Sequence, residues 1–126
     1  MNVLVDSSVW IDYFRSAKNS IELDDLIDNN IIVINEIILA ELVPFLKLQN
    51  QVEVIELLYE IRPIPLNINW QEIISFQTKC LKTGINGIGI PDLIIAQNAL
   101  QYGCQIYSLD KHFRLLNQVL GIGLYL

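Results

Sequence analysis

The chain has few residues that could build a cysteine or histidine site. Its 126 residues include two cysteines and one histidine. Cys80 and Cys104 belong to no C-x-x-C or Cys/His cluster, so we interpret them as ordinary residues of a protein in a reducing cytosol. The single histidine, His112, excludes a histidine-rich zinc site and would have to serve any Ser/His/Asp triad without a G-x-S-x-G turn. We interpret His112 as a surface or substrate-side residue.

Long uncharged runs are also missing, although 52% of the residues are apolar and the mean hydropathy is +0.40. No stretch reaches the ~18 to 20 apolar residues of a membrane span, because Glu36 and Glu41 interrupt the richest region. The opening "MNVLVDSSVW" has neither a basic leader nor a long apolar stretch, so no signal peptide is expected. Repeats and linker-like runs are absent, so we expect one cytoplasmic domain over residues 1–126, with no membrane association.

Positive charge is scarce, with 8 basic and 14 acidic residues and a net charge of −6. A nucleic-acid-binding protein normally needs a basic surface to contact phosphates. This objection weakens if several of the acids are metal ligands, because bound divalent cations would make the site itself electropositive. Net charge alone therefore does not decide whether the partner is a nucleic acid.

Short β-rich runs alternate with longer segments of helical period. Such alternation predicts an α/β fold with a central, mainly parallel twisted sheet of about five strands and helices on both faces. The predicted strands are "NVLV" (2–5), "IIVI" (31–34), "RPIPL" (62–66), "CQIYSL" (104–109) and "GIGLYL" (121–126).

Helix boundaries are predicted from capping signals. Asn19 with Glu22 resembles a capping box, and Asn50 is expected to cap the next helix. A further helix is expected from about Asn69 to Lys82, and another from near Pro91 to a stop at Gly103. Pro44 lies inside a helical segment, where it removes a hydrogen bond and crowds Ala40. We therefore expect a kink or a break at that point.

Two aspartates stand where parallel sheets usually bind ligands. Asp6 follows "VLV" and Asp110 follows "IYSL", each at the carboxyl end of a predicted inner strand. For either residue alone, a helix-capping role is an equally good explanation. Asp92 follows Pro91 at a helix start, where the helix dipole favours an acid, and taken alone this structural explanation is preferred.

Glu41 is the hardest acid to explain structurally. In "IILAELVPFL" (37–46) it stands among nine apolar residues, with no lysine or arginine one turn away, so we expect a buried carboxylate. Carboxylates from distant segments that converge on one point repel unless hard cations hold them, and Mg²⁺ and Mn²⁺ prefer such oxygen ligands. We therefore predict that Asp6, Glu41, Asp92 and Asp110 form a metal site for phosphodiester hydrolysis by metal-activated water.

Four blocks of the sequence resemble PIN-domain ribonucleases, and within them the VapC-like toxins of type II toxin-antitoxin pairs. The resemblance covers nearly the whole chain, and the blocks occur in the family's order. Each block carries one acid: "VLVDSSVWIDYF" has Asp6, "LAEL" has Glu41, "IPDLIIAQNAL" has Asp92 and "IYSLDKHF" has Asp110.

The resemblance implies an endoribonuclease that uses Mg²⁺ or Mn²⁺ at the carboxyl edge of the sheet. By analogy, Asp6 and Asp92 are the most direct ligands, and Glu41 and Asp110 complete the site or orient the metal-bound water. Ser7 or Ser8 resembles the small polar residue that often stands beside the family's first aspartate. A homodimer and inhibition by a small antitoxin, whose C-terminal segment wraps over the toxin, are implied as well.

Three other interpretations remain. A catalytically idle PIN fold would serve only as a binding partner, although the presence of all four acids speaks against it. A haloacid-dehalogenase-like phosphatase requires a second acid two residues after the first, but this chain has Ser8 at that position. A response-regulator receiver requires adjacent acids at its first strand and a phosphoacceptor after its third.

Four cations flanking the predicted site are candidates for RNA phosphate contacts or ordinary surface residues: Lys79, Lys82, Lys111 and Arg114.

Overall fold

Strands and helices alternate along the chain in a computed structural model that describes residues 1–126. There are four strands and seven helices. In chain order they are β1 (Val3–Val5), α1 (Ser7–Arg15), α2 (Glu22–Asp28), β2 (Ile32–Ile34), α3 (Glu36–Leu48), α4 (Val52–Glu60), β3 (Arg62–Pro63), α5 (Trp70–Lys82), α6 (Ile90–Tyr102), β4 (Gln105–Tyr107) and α7 (Lys111–Leu120).

The sheet is parallel throughout, and its strand order is β3-β2-β1-β4. Every residue of β1 and β2 is buried. Because successive side chains of a strand point to opposite faces, helices must cover both faces of the sheet. The predicted α/β fold is therefore confirmed. Strand order reverses at β1, which has the later strands β2 and β4 on its two sides, and this is the point where such sheets usually bind ligands.

The expected fifth strand, residues 121–126, is reduced to one parallel bridge between Ile106 and Leu124. This segment lies along β4, where Gly123 accepts a hydrogen bond from Ile106 and Tyr125 donates one back to it. The strand expected at residues 62–66 contains only Arg62 and Pro63. The prolines at 63 and 65 have no N–H to donate, so this segment remains a short edge strand.

Two of the predicted helix boundaries are confirmed. The side chain of Asn69 caps α5 by accepting a hydrogen bond from the backbone N–H of Glu72. Pro91 lies in the first turn of α6, and Gly103 ends that helix with a left-handed φ of +64°. These signals act through the nearest turn of backbone, so the local sequence is sufficient to predict them.

Two other capping predictions are wrong. α2 begins only at Glu22, and the backbone and side-chain amides of Asn19 donate instead to the carboxylate of Asp12, at 3.1 and 3.3 Å. α4 begins at Val52, and Asn50 has a left-handed φ of +56°, a conformation that asparagine tolerates. Asn19 therefore makes another contact, and Asn50 adopts another backbone conformation, in place of the expected cap.

Of the kink or break expected at Pro44, the break does not occur. α3 continues from Glu36 to Leu48 with Pro44 inside it. Buried side chains on both sides of Pro44, those of Leu42, Val43 and Leu46, anchor the two halves of the helix in the core. Ala40 and Pro44 are exposed, so water can bond to the carbonyl oxygen that Pro44 leaves without its donor.

One cluster of 30 buried residues forms the core between the sheet and the helices. Cys80 and Cys104 are free and buried within it, and burial raises the pKa of both thiols. Thiols in this state are poorly reactive, consistent with the prediction that the cysteines are ordinary residues. None of the seven helices has the length and hydropathy needed to cross a bilayer.

Candidate active site

Asp6 lies at the switch point of the sheet. It directly follows β1, and its backbone N–H donates to the carbonyl of Tyr107 at the end of β4, at 2.9 Å. Asp6 precedes α1, but its side chain forms no capping hydrogen bond. The residue is only 5% exposed. Helix capping therefore does not explain this buried carboxylate.

Two serine hydroxyls hold the carboxylate of Asp6. Ser8 and Ser108 both donate to its Oδ2, at 2.7 and 2.8 Å, and their own oxygens are 3.2 Å apart. Ser108 also accepts the backbone N–H of Asp110, at 2.9 Å. These contacts fix the orientation of the carboxylate and leave its Oδ1 free of side-chain donors. Ser108 was not predicted from the sequence, although its place directly after β4, in register with Asp6, marks it in retrospect.

Asp92 faces the single histidine. Its Oδ2 is 3.1 Å from Nδ1 of His112, and the two side chains are 19% and 27% exposed. Burial raises the pKa of Asp92, the hydrogen bond from His112 opposes this, and the charges of Asp110 and Asp6 raise the pKa further. His112 therefore lies beside the acids rather than on an open surface, and its predicted place on the substrate side stays a prediction.

Asp110 has an ordinary structural role besides its place near the other acids. Its Oδ1 caps α7 by accepting the backbone N–H of His112, at 2.9 Å. The same oxygen is 3.6 Å from Nδ1 of His112. The capping explanation therefore holds for Asp110 but not for Asp6.

Glu41 is exposed, so the expectation of a buried carboxylate is wrong. α3 does have a solvent-exposed face. Small or apolar residues occupy part of this face, so the hydropathy pattern does not reveal it. Neighbouring groups partly shield the Glu41 carboxylate from water, and this partial burial is the largest cause of its raised pKa. The charges of Asp6, Asp92 and Asp110 raise the pKa as well, while a 3.4 Å hydrogen bond from Ser7 opposes the shift.

The structure thus brings the four predicted acids within electrostatic reach of one another. None of the lysine or arginine side chains pairs with them, since the only ion pairs in the molecule join His112 to Asp92 and Asp110. Asp92, Asp110 and His112 each offer one donor atom, and these three atoms lie within 4.8 Å of one another. Repelling carboxylate oxygens with one nitrogen form a donor set that suits a divalent cation.

An apolar groove of about 380 Å³ is a second feature of the surface. Nine of its twelve lining residues are hydrophobic. Residues from α1, α2, α4 and the starts of β2 and β3 line it: Trp10, Tyr13, Phe14, Ile27, Asn30, Ile32, Val54, Leu57, Leu58, Glu60, Ile61 and Arg62. None of the four acids contributes to this groove, so the two features are separate.

Solved structures with the same fold include three from bacteria. VapBC2 from Rickettsia felis, bound to a promoter DNA fragment, has a TM-score of 0.77 and 22% identity, covering 99% of this chain and 98% of that one. FitAcB from Neisseria gonorrhoeae has a TM-score of 0.74 and 20% identity, covering 98% and 96%. DNA-bound VapBC from Salmonella typhimurium has a TM-score of 0.75 and 15% identity, covering 99% and 97%. At these identities the similarity establishes the fold.

A comparison with curated protein sequences gives no significant match. The model of the PIN domain family, by contrast, matches residues 3–118, which is nearly the whole chain. The matched region runs from β1 into α7 and so includes all four acids. The chain belongs to the PIN domain family.

Proposed function

We propose that this PIN domain, taken as residues 1–126, is a metal-dependent endoribonuclease and the toxin of a toxin-antitoxin pair. The observation that carries the proposal is that acids from four separate segments act on one another: donor atoms of Asp92 and Asp110 lie within 4.8 Å of each other, and the charges of Asp6, Asp92 and Asp110 all raise the pKa of Glu41. No lysine or arginine neutralises them. A divalent cation would offset the repulsion among them, which, after burial, contributes to the raised pKa values of Glu41 and Asp92.

Asp6 and Asp92 are the proposed direct ligands of Mg²⁺ or Mn²⁺, with Glu41 and Asp110 completing the site. When bound, such an ion lowers the pKa of water and stabilises negative charge on a phosphodiester. The contribution of the chain is orientation. Ser8 and Ser108 donate to Oδ2 of Asp6 and leave Oδ1 without a side-chain donor, and Ser7 donates to the carboxylate of Glu41.

The proposed RNA path follows the surface between α5 and α7, which pack against each other. Lys79 and Lys82 lie on one wall of a groove of about 580 Å³, and Gln118 of α7 contributes to the other. Lys111 and Arg114 lie in the first turns of α7. All four cations are exposed and free of carboxylate partners. They can therefore contact phosphates without first breaking an ion pair.

The apolar groove is the proposed seat of the antitoxin, specifically of a short segment that carries apolar side chains. Leu57 lines this mostly apolar groove and is 61% exposed, so a large part of its apolar surface is open to a partner. Similar folds were solved as VapBC and FitAcB assemblies, which supports a protein partner for this chain as well. A homodimer acting in the cytosol, where RNA is accessible and thiols stay reduced, completes the proposal.

A catalytically idle binding module is the alternative that the apolar groove would also serve. The two functions differ in their need for the acids, because an idle module gains nothing from carboxylates that repel one another. RNA cleavage by the isolated protein distinguishes them. The experiment uses full-length protein freed of any bound partner, with Asp6→Asn purified in the same way and assayed in parallel.

The protein is expected to cleave RNA with Mg²⁺ or Mn²⁺ and to lose this activity in excess EDTA. Asp6→Asn is expected to lower cleavage at least ~100-fold, because it removes a charged metal ligand. Its unfolding free energy is expected to change by no more than ~1 kcal/mol, because the amide preserves the shape of the side chain. Full activity in EDTA, or in the Asp6→Asn protein, would refute the proposed mechanism.

A further inference from the structure

His112 lies closer to the acids than a residue that only contacts substrate would need to. Its Nδ1 is 3.1 Å from Oδ2 of Asp92 and 3.6 Å from Oδ1 of Asp110. We infer that His112 supplies a nitrogen ligand to the cation held by Asp92 and Asp110, and that this nitrogen biases the site toward Mn²⁺ over Mg²⁺. The inference rests on the proposed function and adds a fifth residue to the four acids.

The spacing of the donor atoms supports a shared ion. Two ligands at right angles on a small divalent cation, each ~2.0 to 2.2 Å from it, are roughly 3 Å apart. The two distances from Nδ1 of His112 lie close to this value, at 3.1 and 3.6 Å. Small side-chain adjustments would therefore suffice for the three residues to bind one ion.

The position of the imidazole is set by the start of α7. The backbone N–H of His112 donates to the capping carboxylate of Asp110, at 2.9 Å. The next residue, Phe113, is 1% exposed and anchors the helix in the core. A side chain attached to such a constrained turn loses little additional freedom on binding a metal, which favours ligation.

Charge and ligand type both favour a nitrogen at this place. A neutral imidazole adds a ligand without adding a fifth negative charge to four carboxylates that already repel. Mg²⁺ prefers oxygen ligands and keeps its waters, whereas imidazole is a common ligand of first-row transition ions. A site with His112 should therefore discriminate between Mn²⁺ and Mg²⁺ more strongly than a site built from carboxylates alone.

The test uses the full chain without an affinity tag, stripped of metal and loaded with less than one equivalent of Mn²⁺. Pulsed electron paramagnetic resonance then detects ¹⁴N nuclei coupled to the bound ion. Because the chain has one histidine, any imidazole coupling has a single source. We expect this coupling in the unmodified protein, and its absence while Mn²⁺ is bound would overturn the inference.

A substitution distinguishes ligation from a merely positioning role. In His112→Asn the side-chain amide can still donate to Asp92 but is a poor nitrogen ligand. We expect the imidazole coupling to disappear and the ratio of Mn²⁺ to Mg²⁺ affinity, measured by competition, to fall at least about tenfold. Lys18→Gln, a change at an exposed residue, is the control and should leave both measurements unchanged.

The outcomes separate this inference from the proposed function. An affinity ratio unchanged in His112→Asn would mean that His112 acts only through Asp92, which overturns the inference and leaves the four-acid site in place. Failure of the unmodified protein to bind Mn²⁺ at all would overturn both. Circular dichroism of each variant establishes whether it is folded, and the coupling measured on the unmodified chain decides the question without any variant.

Discussion

Glu41 is the acid whose surroundings differ most between the sequence and the structure. Its neighbours along the helix are apolar, yet the residue is exposed and lies within reach of the charges of Asp6, Asp92 and Asp110. Its pKa is raised, so the folded state holds a proton more tightly than the unfolded chain does. For an acid this means that stability is lost as pH rises above the ordinary value of 4.5.

Replacing Glu41 by glutamine should therefore not destabilise the metal-free protein at neutral pH. In EDTA at pH 7.5 we expect Glu41→Gln to be equal to the unmodified protein or more stable, by up to ~1 kcal/mol, because the carboxylate is exposed and screened. Near pH 4 and below, where Glu41 is largely protonated in both states, the difference should vanish. Urea unfolding at the two pH values measures this change.

Glu36→Gln is the matched control in the same helix. Glu36 is exposed in the first turn of α3, where the helix dipole stabilises its negative charge. Removing that charge is expected to cost ~0.5 kcal/mol or less. A clear loss of stability in metal-free Glu41→Gln would show that the charge has a stabilising partner in the fold, with the hydroxyl of Ser7 the first candidate.

α3, the element that carries Glu41, is held at its start by a buried asparagine. Asn35 is fully buried, and its Oδ1 accepts the backbone N–H of Ile38 at 2.9 Å. Its Nδ2 donates to Asn98 of α6 at 2.9 Å, and Asn98 in turn donates to the carbonyl of Pro65. One side chain therefore both caps α3 and ties that helix to α6, the helix that carries Asp92.

Replacing Asn35 by alanine should cost ~2 to 3 kcal/mol of unfolding free energy. The change removes a cap and leaves the buried Oδ1 of Asn98 without its donor. Asn69→Ala is the comparison, because Asn69 caps α5 in the same way but is exposed, and its loss should cost about 1 kcal/mol. Equal costs in urea unfolding would show that burial and the link to Asn98 add nothing to the cap.

At the scale of the whole molecule, the net charge of −6 is concentrated in part at one edge of the sheet. A divalent cation that binds the folded state and not the unfolded chain stabilises the fold by mass action. Such an ion would also make the local charge positive, whereas the negative charge of the acids alone opposes contact with RNA phosphates. Stability and substrate binding are thus expected to depend on the same ion.

Mg²⁺ or Mn²⁺ at ten times its dissociation constant is expected to stabilise the protein by ~1.4 kcal/mol. For a domain of this size, this is a rise in Tm of roughly 5 °C. Thermal unfolding with NaCl at matched ionic strength controls for screening of the net charge. Asp6→Asn should lose most of the rise specific to the divalent ion, and an equal rise in NaCl would argue against a site.

Much of the fold follows from local patterns. The runs that became β1, β2 and β4 are short and apolar, and the signals at Asn69, Pro91 and Gly103 act within one turn of backbone. Asn19 and Asn50 carried similar signals, but Asn19 bonds to Asp12 and Asn50 takes a left-handed conformation, because asparagines that suit caps also suit turns. Glu41 was misjudged because hydropathy does not reveal which side of a helix remains open.

The sequence by itself determined the order of elements, the parallel character of the sheet and the placement of Asp6 and Asp110 after strands, since these depend on side-chain periodicity and chain connectivity. Only the tertiary structure decided that β4 pairs with β1, which brings Ser108 to Asp6. It also decided that His112 faces Asp92, because contacts between residues distant in sequence depend on how the helices pack and not on any local pattern.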